Sequence, residues 1–230
     1  KKKYIDFASG IAVSSLGHCH PELNKALLEQ SKKIWHLSNL LTNEPALQLA
    51  KILCKTTFAE KVFFSNSGAE AIEGAIKTAR KHAYVNISKK KNGIVAFSDA
   101  FHGRTMMAIA LNGSDRFIEG FGPMPGGITH HPFNETKNLE KAINKNTAAV
   151  VIELVQGEAG IIKAKRDFIQ KIKKLCKAHK VLIIVDEVQS GAGRTGTLFA
   201  YEQFGIKPDI MCCAKGIGGG IPIGAILTST

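Results

Sequence analysis

No apolar run in the 230 residues approaches the roughly 18–20 that a membrane-spanning helix requires. The opening Lys1-Lys2-Lys3-Tyr4-Ile5-Asp6 does not read as a secretion signal either. Cysteine is sparse: Cys19, Cys54, Cys176, Cys212 and Cys213 are odd in number and scattered, which excludes a disulfide framework and favours a reducing cytoplasm. Arginine is sparser still relative to charge. Of 31 basic residues only five are Arg, and aromatics make up 7% of the chain. The net charge of +12 therefore comes from Lys along the whole length, with short clusters at 1–3, 89–91 and 171–177. None is interleaved with aromatics, as a nucleic-acid groove would be. This is expected to be a solvated surface that attracts anionic metabolites.

What is present is an ordinary globular mix, 44% hydrophobic and 22% charged, with no internal repeat. At roughly 100–200 residues per domain, it allows one large domain or one domain plus part of another. Short β-branched runs at 62–64, 93–97, 148–153, 181–185 and 210–213 alternate with helical patterns at 21–34, 44–55, 69–84, 139–144 and 167–179. Ala149-Val150-Val151-Ile152 and Val181-Leu182-Ile183-Ile184-Val185 do not alternate with polar residues, as strands covered on both faces do not. The expectation is an α/β domain: a mostly parallel sheet with helices on both faces. The basic amphipathic 167–179 stretch is expected to be a crossover helix. Residues 1–45 read differently, as one short strand, Gly/His-rich turns and then helices: an N-terminal arm preceding a domain over 46–230.

Ligands of such sheets bind beyond the carboxyl ends of strands. Ser65-Asn66-Ser67-Gly68-Ala69-Glu70 reads equally as a phosphate-binding helix start or a plain N-cap. Phe101-His102-Gly103-Arg104 could stack on a planar ring and hold a carboxylate, or supply a core ring and a surface ion pair. Asp186, leaving a five-residue apolar run, needs a cation: a metal, a substrate ammonium, a protonated ring nitrogen or a salt bridge. Lys215 precedes a stretch with four glycines in five residues. Partial burial there would lower its pKa and free the amine for a Schiff base. A lone lysine is ordinarily a solvated charge, so its company matters. Three decoys are discounted. Gly191–Gly196 fits G-x-G-x-x-G but does not directly follow a strand or open a helix. His18-Cys19-His20 lacks further metal ligands, so no metal site is expected. His130-His131 reads as loop.

In this order, these segments resemble the class III aminotransferases, of the ornithine and acetylornithine type, which use pyridoxal 5'-phosphate on the fold-type I scaffold. The resemblance starts at Tyr4-Ile5-Asp6-Phe7 and Gly17-His18-Cys19-His20-Pro21. It runs through Ser65–Glu70, Phe101–Thr105, Glu153-Leu154-Val155-Gln156-Gly157-Glu158 and Asp186-Glu187-Val188-Gln189 to Ala214-Lys215-Gly216. It implies that 46–230 is a cofactor-binding large domain. Lys215 would carry the cofactor and move the reacting proton, and Asp186 would pair with the pyridine nitrogen. Ser67, Gly68 and Ala69 would meet the phosphate, where Ala69 replaces a common Thr. Phe101, with His102 beside it, would lie against the ring, and Val188 and Gln189 would pack on it. Arg104 would hold a substrate carboxylate. Glu158 would gate a second Arg, and Glu153 would support the cofactor.

Ile11 and His102 stand where ornithine δ-aminotransferases typically have Tyr and Trp, which leans toward the acetylornithine branch. The implied reaction moves the terminal amino group of an N-acyl diamino acid to 2-oxoglutarate, in arginine or lysine biosynthesis, on a homodimer with shared active sites. Alternatives kept are an ornithine δ- or 4-aminobutyrate-type enzyme, an aminomutase or racemase, an NAD-dependent oxidoreductase and a nucleic-acid-binding module. The resemblance also implies that a C-terminal small domain, and a partner-subunit phosphate ligand, would lie beyond Thr230.

Overall fold

The apolar runs build one seven-stranded sheet. In the computed structural model, which describes residues 2–38 and 40–229, the strands are β1 (Lys61–Ser65), β2 (Gly93–Phe97), β3 (Ile128–His131), β4 (Thr147–Ile152), β7 (Leu182–Asp186), β8 (Ile210–Ala214) and β9 (Gly224–Thr228). Lys1 of the first lysine cluster lies outside the described residues. The strand order is β1-β9-β8-β7-β4-β2-β3. β3, β2, β4, β7 and β8 pair in parallel, and β9 runs antiparallel to both β8 and β1. A separate two-stranded ribbon joins β5 (Val155–Gln156) to β6 (Ile162–Lys163).

Within the seven-stranded sheet, two strands carry no clear sequence signal. His130-His131 belongs to β3 rather than to a loop, because Ala96 and Phe97 of β2 pair with it. The Ala-Ile-Leu run of β9 follows a glycine-rich stretch and is fixed by pairing on both sides. Among the described residues of the N-terminal arm there is no strand, contrary to expectation. Ser9–Ala12 instead forms a bent turn in which Gly10 and Ile11 have positive φ.

The helices are α1 (Pro21–Ser31), α2 (Glu44–Thr56), α3 (Gly68–Asn86), α4 (Met106–Leu111) and α5 (Arg166–His179). The pattern at 139–144 yields only a single turn, Leu139–Ala142. In α3, Ala71, Ile72, Ala75, Ile76, Ala79 and Ala83 share one buried stripe. Its alanines let the helix lie close on the sheet, against Ala149, Val151, Ile184 and Cys212. On the opposite face, Phe168, Ile169, Ile172 and Cys176 of α5 pack on Val150, Ile152, Ile183 and Val185. Successive β4 side chains thus serve two cores, which is why that strand carries no polar alternation.

Both helices have defined starts and ends. Ser67 Oγ accepts from Glu70 N at 3.2 Å, and Glu70 Oε2 accepts from Asn66 N at 2.7 Å, satisfying donors at the start of α3. Ser67→Ala is expected to cost about 1 kcal/mol, read as a lowered midpoint in urea at unchanged slope. α5 ends on Lys180 in the left-handed region, whose N–H reaches Cys176 O and Lys177 O. Among the described residues no helix is long and apolar enough to cross a membrane.

Candidate active site

The parallel strands share a direction, so their carboxyl ends open on the same edge of the sheet, and the segments following β1, β2, β4, β7 and β8 meet there. They enclose a cavity of about 340 Å³. Ser67, Gly68 and Ala69 line it where α3 begins, Phe101 and His102 after β2, and Glu153 and Glu158 after β4. Asp186, Val188 and Gln189 line it after β7, and Lys215 after β8. The amine and the carboxylate thus share one cavity.

Asp186 is held firmly. It is 4% exposed; its Oδ2 lies 2.8 Å from His102 Nδ1 and its Oδ1 accepts from Val188 N at 2.9 Å. Burial opposes a charge on His102, but the bond and proximity to Asp186, with Glu153 nearby, outweigh it and raise the imidazole above its ordinary pKa. His102 Nε2 is buried with no partner among the described residues. Asn112, fully buried, accepts from His102 N at 2.7 Å and donates to Gly103 O at 3.3 Å, so it fixes this loop from behind. Gly103 has φ +131, and a Cβ there would come within 2.8 Å of Ala69 Cβ. The loop crosses the start of α3 only because that side chain is absent.

Glu153 accepts from Phe101 N at 2.8 Å, and burial pushes its carboxyl up to about 7. The folded protein therefore holds a proton that the unfolded chain releases near 4.5, and this contribution to stability is lost as pH rises through about 7. Glu153→Gln removes the titration. The stability of the natural chain relative to this variant is expected to fall between pH 5 and pH 8 by an amount on the order of 2–3 kcal/mol, read by denaturant titration at both pH values. A constant difference would exclude a raised Glu153.

Lys215 lies in the left-handed region at φ +48, at the start of a short 3-10 turn. Non-glycine residues there cost energy that surrounding structure must offset, and such positions cluster at functional sites. Burial lowers the amine's pKa, while Asp186, Glu153 and Glu158 oppose that shift. Among the described residues its Nζ makes no hydrogen bond or ion pair, so the amine is both available and partly desolvated.

Arg104 does not join this group. It is exposed, and its guanidinium lies 5.4 Å from the Phe101 ring centroid and 5.0 Å from that of Phe117. Glu158 lies at the rim, 4.0 Å from Arg116. The sequence reading did not single out Val13, Asn66 or the Ile221-Pro222-Ile223 wall. The glycines before that wall were the available signal. Gly191–Gly196 lies in turns and opens no helix, and Arg194 Nη2 donates to Ser15 Oγ at 3.3 Å. His18 Nε2 lies 2.7 Å from Asp6 Oδ2. Among the described residues no group of three or more His, Cys, Asp or Glu could hold a metal ion.

The donor set fits a planar, phosphorylated pyridine. There is an amine to bind it covalently and a buried carboxylate held by two donors. An aromatic and a valine form walls, and the N-terminus of a 19-residue helix adds amide donors. The α/β frame, with its mostly parallel sheet, is that of the fold-type I pyridoxal-phosphate transferases. The aminotransferase class-III family matches residues 1–230, and the chain belongs to that family.

It is 53% identical over 228 residues to the acetylornithine/succinyldiaminopimelate aminotransferase of Buchnera aphidicola, covering 99% of this chain and 56% of that protein. It is 52% identical over 228 residues to the succinylornithine transaminase of Salmonella typhimurium, covering 99% and 56%. Among solved structures, the ornithine aminotransferase of Toxoplasma gondii superposes with a TM-score of 0.93 at 31% identity, covering 99% of this chain and 55% of that one. The N-acetylornithine aminotransferase of Stenotrophomonas maltophilia gives 0.85 at 42% identity, covering 99% and 57%. The chain thus spans a little over half the length of these relatives.

Proposed function

We propose that this chain is the cofactor-binding part of a pyridoxal 5'-phosphate-dependent aminotransferase. It would move the terminal amino group of an N-acylated ornithine-like donor to 2-oxoglutarate, giving a semialdehyde and glutamate. The observation that carries this is Lys215 and Asp186 lining one cavity with the start of α3. Bound there, the cofactor supplies an electron sink for the charge left when a proton leaves the substrate carbon next to the transferred nitrogen.

The protein's part is positional and acid–base. Lys215 would hold the group, and its amine would move the reacting proton. Asp186 would keep the pyridine nitrogen protonated, and His102 Nδ1 and the Val188 N–H hold both carboxylate oxygens in place. Gly68 and Ala69 offer backbone N–H groups to the phosphate. Phe101 and Val188 exclude water from the ring faces, and Gln189 and Glu153 support its edge. Arg104, at the rim, would take the substrate carboxylate, and Glu158 would bias which substrate is admitted.

The acetylornithine/succinyldiaminopimelate and succinylornithine relatives favour an acylated donor, as does Ile11 in place of a polar Tyr. An arm over 1–45 and a large domain over 46–230 suit this assignment. Tyr4, Phe7, Trp35 and Leu40 are each at least 85% exposed, which supports a homodimer that covers them. The five free thiols favour the reducing cytoplasm. Borohydride treatment with pyridoxal 5'-phosphate should add one cofactor mass, mapped by peptide mass spectrometry to Lys215. Labelling elsewhere with Lys215 untouched would overturn the assignment.

A further inference from the structure

At the opposite edge of the sheet from the cofactor cavity lies a second hollow, of about 700 Å³. It opens between the C-terminal parts of α3 and α5, the beginning of β7 and the 207–209 loop. Lys173, Lys174, Lys177, Lys180 and Lys207 line it. These are five of the chain's 31 basic residues, and they surround a floor of Val181, Leu182 and Ile183.

Their charge is not answered from within. Among the described residues none of the five makes an ion pair within 4.0 Å, although Lys173 Nζ donates to Gly205 O at 2.6 Å. The acid at this hollow is Asp209, whose Oδ2 is engaged by Ile183 N at 2.7 Å. Three of the four carbonyls that end α5 are also occupied. Cys176 O and Lys177 O accept from Lys180 N, and His179 O accepts from buried Lys91 Nζ at 2.8 Å. The negative end of that helix is thereby tied up by protein donors and offers an anion little repulsion. Gln170 and Asn86 add side-chain amides to the lining.

We propose that this hollow is an anion site for a small polyphosphate-bearing molecule, separate from the transamination site. Four ammonium groups on one helix and its C-cap, facing a fifth across a concave floor, match several clustered negative charges better than a single one. The concavity, with no arginine and no Phe, Tyr or Trp among its lining residues, and His82 as the ring at its edge, favours a compact ligand over an extended nucleic-acid strand.

The probes are inorganic tripolyphosphate and ATP, titrated calorimetrically into the natural chain at low ionic strength. Micromolar binding that weakens with added salt is expected. ATP binding more tightly than tripolyphosphate would identify a nucleoside-bearing ligand that uses the apolar floor, and equal affinity would identify the polyphosphate chain alone. The double variant K174E/K177E, exposed at both positions, should weaken binding about tenfold or more at an unchanged thermal midpoint. K51E/K55E, with the same charge change at exposed positions of α2 outside the lining, should remain within twofold. Three results would overturn the proposal. They are equal weakening in both variants, which marks general attraction; unchanged affinity in K174E/K177E, which places the phosphates elsewhere; and duplex DNA competing as tightly as tripolyphosphate.

Discussion

Replacing Lys215 with alanine is expected to abolish borohydride-stable cofactor attachment and to lower transamination by about 10⁴-fold or more. Two roles vanish together: the covalent link and the amine that carries the proton, the latter alone accounting for roughly 10²–10⁴. The fold should not suffer. The amine is partly desolvated and no hydrogen bond holds it, so its removal relieves a buried charge and leaves the strained φ of +48 unchanged. The thermal midpoint of Lys215→Ala should therefore equal or exceed that of the natural chain. Activity within tenfold of the natural chain would remove Lys215 from the chemistry, and a lowered midpoint would show that its burial is stabilising instead.

The largest expected effect on stability lies on the other side of the sheet. Phe168 is fully buried, with ring centroids 5.1 Å from Phe97 and 5.6 Å from Phe133 in edge-on geometry. Phe168→Ala is expected to cost 3–5 kcal/mol, from lost transfer free energy and the cavity left behind. That is roughly a thousandfold change in the folding equilibrium at the middle of the range. Lys174→Ala, on the solvated face of the same helix, should stay within about 0.5 kcal/mol. Denaturant midpoints at constant slope are the measurement. A cost below 1 kcal/mol at Phe168 would mean that α5 is not held by this aromatic cluster.

The strands flanked by helices were legible because burial on both faces writes an unbroken apolar run into the sequence, as in Ala149-Val150-Val151-Ile152. β3 was not: its Ile-Thr-His-His stretch carries no such run, and it is a strand because β2 offers it an edge. β9 lacked any flanking helix pattern and depends on β8 and β1 on its two sides. In the candidate site, the residues leaving each parallel strand were legible, since chain direction alone sends strand ends to one edge. Arg104 differs, because its position depends on Phe117, a neighbour in space that nothing in the Phe101–Thr105 motif specifies.

Sequence alone determined which chemical groups stand at the strand ends and that a layered sheet would gather them, because periodicity and chain direction are local properties. Tertiary structure alone decided that His102 meets Asp186, 84 residues away, that Asn112 braces that loop and that Arg104 lies over the Phe101 and Phe117 rings. Such pairings follow from how separate elements pack on one another, and no local pattern encodes that contact.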